Sequence, residues 1–219
     1  MASNNKRERL YKLHRIINYV VRLILVGALA FAWYEGNMHV FFITLITLLL
    51  TFSTEIFRKK YDIIIPVEFD ILIILFIYAT LFLGEIYDFY YKYWWWDTLL
   101  HGTSAFVFGL TGFLILFVLQ NTSKIKTNPI WIATFAFAFA VSIGALWEIF
   151  EFGMDQIFGL NMQKSGLIDT MWDLIIDVIG ALIASIIGFF YLKGESKYSF
   201  KRLMDDFINN NPKLFRSKK

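Results

Sequence analysis

The stretches GALWEIFEFGMD (144–155) and DTMWDLIIDVIG (169–180) decide how this chain folds. They set six carboxylates, Glu148, Glu151, Asp155, Asp169, Asp173 and Asp177, among Leu, Ile, Phe and Trp. At about 100° per residue, Glu148, Glu151 and Asp155 fall within a helical arc of roughly 60°, and Asp169, Asp173 and Asp177 within roughly 80°. Below Asp177 the same stripe continues as Gly180, Ala184 and Gly188. Small residues in that pattern let a neighbouring helix approach closely. The acidic face is thus also the packing face, and its carboxylates should point into a bundle.

The rest of the chain puts that bundle in a membrane. Hydrophobic residues make up 58% of the 219 and charged residues 18%, the latter against roughly 25% in soluble domains. Mean hydropathy is +0.56. Six apolar runs, about 16–34, 39–57, 67–87, 97–119, 129–152 and 170–192, approach the ~20 residues that cross a bilayer. Little chain remains for a separate soluble domain. Cys is absent, which excludes disulfides and thiolate ligands. The start resembles a signal peptide, with Ala28-Leu29-Ala30 mimicking a cleavage site. Arg22 interrupts that apolar run and more spans follow, so the segment reads as a retained anchor.

The expected fold is an all-α polytopic membrane protein with six transmembrane helices and both termini cytoplasmic. A basic arm (1–15) precedes the six-helix domain (16–192), and a basic tail (193–219) follows it. The sorting of Lys and Arg carries the orientation. The inner side collects five in the arm, Arg22, three at 58–60, Lys124 and Lys126, and eight in the tail; the outer side has Lys92 and Lys164. Trp33, Tyr34 and the run 90–96 then fall at the outer interface, where amphipathic rings sit well. In the tail, Phe200, Leu203, Met204, Phe207 and Ile208 recur at helical spacing beside Lys201 and Arg202. This reads as an amphipathic interfacial helix on anionic inner-leaflet lipid. No basic domain projects from the membrane, so nucleic acid is not an expected partner.

The same topology brings acidic groups from four helices to one outer level: Glu85, Asp97 with His101, Glu148 with Glu151, and Asp173 with Asp177. Asp97 and His101 are i, i+4 neighbours able to serve one ligand. Ionisable groups at membrane depth are costly and mark function. Crowded carboxylates must be protonated, hydrated or paired with a cation. Carboxylate plus imidazole suits Mg²⁺, Mn²⁺, Ca²⁺, Fe²⁺ or Zn²⁺. The expected metal ligands and catalytic groups are therefore Asp97, His101, Glu148, Glu151, Asp173 and Asp177, around a divalent metal ion whose identity the sequence leaves open. Lys164 and Glu85 are the expected substrate contacts. Plainer readings compete. Asp88, Asp155 and Asp169 serve equally well as solvated helix ends, with Asp169 as an N-cap or dipole partner. His101 could be a core histidine bonded to Asp97. Glu68 and Asp70 read as an acidic first turn, Arg22 and Glu55 as a neutralising pair, and His14 and His39, with no partners in the local pattern, as interface residues.

The run Leu83-Gly84-Glu85, Phe89-Tyr90 and Trp96-Asp97-Thr98-Leu99-Leu100-His101 resembles the YjdF-like family of bacterial inner-membrane proteins. Trp147-Glu148-Ile149-Phe150-Glu151, Asp169-Thr170, Trp172-Asp173 and Asp177-Val178-Ile179-Gly180-Ala181 continue the resemblance, which covers roughly 60–190. More distantly the order is similar to VanZ-like proteins, a family associated with glycopeptide resistance and the cell envelope. The chain departs from that pattern at Glu151, where Gln is expected, at Asp177, where Asn is usual, and in having no Arg near Asp169. The resemblance implies the bacterial cytoplasmic (inner) membrane. The first functional expectation is a metal-dependent site at the outer leaflet, acting on a membrane lipid or lipid-linked envelope intermediate. The alternatives are a cation- or proton-coupled transporter or ion-binding protein, and a non-catalytic envelope assembly factor.

Overall fold

A computed structural model describes residues 2–195 and 198–215. The tail positions 196–197 and 216–219 lie outside it, as do the side chains of 2–7 in the basic arm and of 198–199. The fold is all-α: the described residues form helices and no strand. Six helical stretches of 20 to 30 residues are long and apolar enough to cross a membrane: Glu8–Tyr34, Met38–Tyr61, Val67–Ile86, Trp96–Asn121, Pro129–Phe158 and Leu167–Leu192. Their outward residues are large and apolar, including Leu23, Phe31, Ile149 and Leu167, which lipid rather than water accommodates. The chain divides into two compact units, residues 1–93 and 94–219.

In the first unit, α1 (Ala2–Tyr34) runs unbroken from the basic arm through the first span. The second span is α2 (Met38–Leu50) followed by α3 (Ser53–Tyr61). Asn37 caps α2 by accepting the Val40 N–H at 3.1 Å. Arg58, Lys59 and Lys60 occupy the last turn of α3, where cations meet the negative end of the helix dipole. The third span is α4 (Val67–Ile77), which widens into a π-helix at Tyr78–Ile86. Pro66 stands before α4, with Glu68 and Asp70 in its first turn as expected. A short α5 (Phe89–Lys92) follows. Val21, Leu25, Ile74 and Phe82 form this unit's core.

Polar contacts cross that core. His14, read as having no partner in the local pattern, meets Asp70 and Asn18, each at 2.8 Å. Asn18 is four residues on in α1 and was within reach of local spacing, whereas Asp70 lies on α4 and was not. Arg22 does pair with Glu55, at 2.8 Å. It also donates to the Thr51 carbonyl at 2.9 Å and lies 3.7 Å over the Phe52 ring. Arg22 thereby ties α1 to the junction of α2 and α3. Replacing Arg22 by Ala is expected to cost about 1–3 kcal/mol, since a carbonyl and a carboxylate lose a charged donor together. Thermal unfolding in detergent, followed by Trp fluorescence, measures this. Arg22→Lys should recover little, because an ammonium lacks the planar fork.

The second unit packs α6 (Trp96–Asn121), α7 (Pro129–Phe158) and α8 (Leu167–Leu192) against one another. Pro129 opens α7, where its missing N–H costs nothing. The expected small-residue stripe of α8 faces α6. A Cβ built on Gly180 would stand 2.6 Å from the Gly102 carbonyl oxygen and 3.1 Å from the Ala105 Cβ. The backbones therefore meet there directly.

The tail helix α9 (Tyr198–Asn210) forms as its spacing predicts. Its apolar face packs on protein, which the spacing did not predict. Met204 is buried with Phe113, Phe117, Ile132 and Ala136, and Phe200 and Ile208 pack against the same cluster. Phe207 is buried as well. A face that must avoid water gains as much on protein as on lipid. Lys201 remains exposed beside it.

Candidate metal centre

His101 is one turn into α6, and its imidazole is the hub of the second unit. Nδ1 lies 3.4 Å from Asp177 Oδ2. Nε2 faces three other carboxylates: Asp97 at 3.8 Å, Glu148 at 3.8 Å and Asp173 at 4.0 Å. All three helices contribute, because Glu148 comes from α7 and Asp173 and Asp177 from α8. With about 1.5 Å of rise per residue, His101 sits about 8 Å from the start of α6, and Glu148 and Asp177 about 15 Å from their nearer helix ends. His101, Glu148, Asp173 and Asp177 are all buried, Asp177 at 1% exposure.

Burial of this much acid demands compensation, and the protein supplies little. Both carboxyl oxygens of Glu148 and Oδ2 of Asp173 are buried without a hydrogen-bond partner of good geometry; the Thr170 hydroxyl faces Glu148 outside that range. Unsatisfied buried carboxylates are rare because water or a partner must be given up for nothing. Here they converge on a ring nitrogen. In the tautomer that places the proton on Nδ1, that proton is directed at Asp177 and the Nε2 lone pair points at Glu148 and Asp173. A carboxylate behind a histidine in this way fixes the ring and raises its basicity as a ligand. One donor atom each from His101, Glu148 and Asp173 lies within 4.8 Å of the others. Donors about 2.0–2.4 Å from a common cation span such separations when they oppose one another across it. The residues fit a divalent cation.

A second group of donors, Asp97, Asp169 and Asp173, meets the same mutual limit and shares Asp173 with the first. Asp97 is in the first turn of α6 and Asp169 in the first turn of α8. Lys164, from the connection before α8, forms an ion pair with Asp97. It also acts electrostatically on Asp169.

The structure sorts the remaining expected residues. Glu151 belongs to neither convergent group; it accepts the indole N–H of Trp147 at 2.9 Å. Asp177 addresses the far side of the imidazole rather than the convergent donors. Lys164 reaches the cluster. Glu85 is carried by the first unit, exposed near the end of its π-helix. Asp155 accepts the backbone N–H groups of Met162 at 2.7 Å and Gln163 at 2.9 Å, and so shapes the loop that presents Lys164. Gly166, not Asp169, occupies the N-cap position of α8, which frees Asp169 for the second group. Its spacing of four residues from Asp173 was the available signal. Gly144 lies against Asp177, where any added Cβ would collide with the carboxylate.

The model of a family described as "Predicted membrane protein (DUF2238)" matches residues 17–194. An uncharacterized protein of Thermotoga maritima is 32% identical over 129 residues, which are 59% of this chain and 66% of the relative. The match thus spans just under two thirds of the relative's length. No solved structure matches.

Proposed function

The chain belongs to the DUF2238 family of predicted membrane proteins, and from that premise we propose that its second unit holds a divalent cation that acts on a lipid or lipid-linked envelope substrate. One observation carries this reading: Glu148 and Asp173, buried and short of well-placed hydrogen-bond partners, converge on Nε2 of His101. His101, Glu148 and Asp173 are the inner ligands, and Asp177 orients the imidazole. A cation there would polarise a phosphoryl or carbonyl oxygen, or activate water. The site lies roughly 8–15 Å from the helix ends, a depth that suits the head-group end of a lipid. The Lys and Arg distribution supports a cytoplasmic N-terminus and, with it, the outer leaflet of a bacterial inner membrane as the side of this end. The resemblance of the motif order to YjdF-like, and more distantly VanZ-like, proteins is the further support for a bacterial membrane location.

Protein purified in mild detergent is expected to carry at least one divalent ion per chain by elemental analysis. His101→Ala should lose it while the protein stays monodisperse. Mass spectrometry of the same sample identifies the co-purifying lipid. Wild-type protein that holds no ion, and gains no thermal stability from added Mg²⁺, Mn²⁺, Ca²⁺ or Zn²⁺, would refute the metal reading.

A further inference from the structure

The two convergent groups share one carboxylate. Asp173 serves His101 and Glu148 on one side and Asp97 and Asp169 on the other. It is 3% exposed, and its Oδ2, which faces His101 Nε2 at 4.0 Å on the first side, has no hydrogen-bond partner. A carboxylate has two oxygens and can bridge two cations. The second group also already attracts positive charge, because the Lys164 ammonium pairs with Asp97 and acts on Asp169. We infer that the cluster is a two-cation centre bridged by Asp173, in which the Lys164 ammonium holds the second position until a second divalent ion replaces it. This rests on the single-cation reading above and extends it.

Charge favours the pair of ions. Asp97, Glu148, Asp169, Asp173 and Asp177 bring five negative charges if ionised. Two divalent ions beside a neutral imidazole leave one negative charge uncompensated; a single ion with Lys164 leaves two. The chemistry is specific as well. Paired cations about 3.5–4 Å apart clamp the oxygens of a phosphate ester. Lys164, displaced from Asp97, would meet an anionic oxygen of the same ligand. The site would therefore take a phosphate-bearing lipid, and the cations would supply the positive charge that a cluster with so few basic side chains lacks.

Metal-free full-length protein in detergent is titrated with Mn²⁺, and bound ions are counted by elemental analysis and electron paramagnetic resonance. Wild type is expected to bind two ions per chain, the second more weakly, with a spin-coupled spectrum at saturation. Asp169→Asn should lose the second ion and the coupling while keeping the first. Lys164→Met should tighten the second ion by about fivefold, the worth of a partly exposed ion pair. One ion per chain in wild type overturns the two-cation centre and leaves the single-cation reading standing. Two ions that remain uncoupled, or that both survive Asp169→Asn, overturn it too. No bound ion overturns both readings.

Discussion

Glu148→Gln is expected to abolish cation loading and, at the same time, to make the metal-free protein more stable. The two effects have one origin. Glu148 is 4% exposed, neither of its oxygens has a hydrogen bond of good geometry, and Asp173 and Asp177 crowd the same imidazole. A buried charge without a close partner loses hydration and gains little. Gln keeps the shape and removes the charge, so the metal-free protein should gain about 1–2 kcal/mol, or roughly 2–8 °C in melting temperature. Loss of an inner ligand should weaken the cation by at least about a hundredfold, since even outer partners are worth 10–100-fold. Thermal unfolding with and without Mn²⁺ reads both numbers. The sign separates function from architecture. If Glu148 merely braced His101, the substitution would lower the melting temperature and leave ion binding unchanged.

Gly180→Val should act in the opposite sense and harder. Its first added carbon would stand 2.6 Å from the Gly102 carbonyl oxygen, and backbone cannot swing aside as a side chain does. Overpacking costs about 1–3 kcal/mol where side chains can adjust. Here the upper figure is a floor, equivalent to a fall of about 6–12 °C or more. The damage also travels one turn along α8. Asp177 lies three residues before Gly180, and its contact with His101 spans α6 and α8. Parting the helices should therefore cost cation binding along with stability. Gly153→Ala is the control: nothing lies within 4 Å of its Cβ position, and relief of a helical glycine should stabilise by about 0.5–1 kcal/mol. If Gly180→Val melts like wild type, the close approach of α6 and α8 is wrong.

Much of this arrangement was legible in the sequence because a helix in lipid obeys two strong rules at once. Length and apolarity mark the spans, and period marks the inward face. Asp97, His101, Glu148, Asp173 and Asp177 stand out as charges where charge is expensive, and the helical period alone put them inside. What period cannot give is rotation within the bundle. It could not tell that Asp177 meets Nδ1 while Asp173 and Glu148 meet Nε2, or that Glu151 turns to Trp147. Nor could it separate Asp155, which binds the following loop, from Asp169, which joins the second group. Both look like helix ends. His14 and Asp70 are invisible to local spacing because they are 56 positions apart. The tail helix forms as its spacing predicts, but what covers its apolar face was hidden for a different reason. Lipid and protein core are both dry, so an amphipathic pattern declares that one face avoids water without declaring what covers it.

That cover over Phe113, Phe117 and Ile132 has a consequence for biogenesis. About 90 residues separate Phe113 from Met204, so α9 leaves the ribosome roughly 5–20 s after the residue it will bury. α7 and α8 are made within that interval, and until α9 follows them its side of the aromatic cluster has no cover from the tail. Packing of the second unit around this cluster therefore waits on the last helix described, long after its other members have been made.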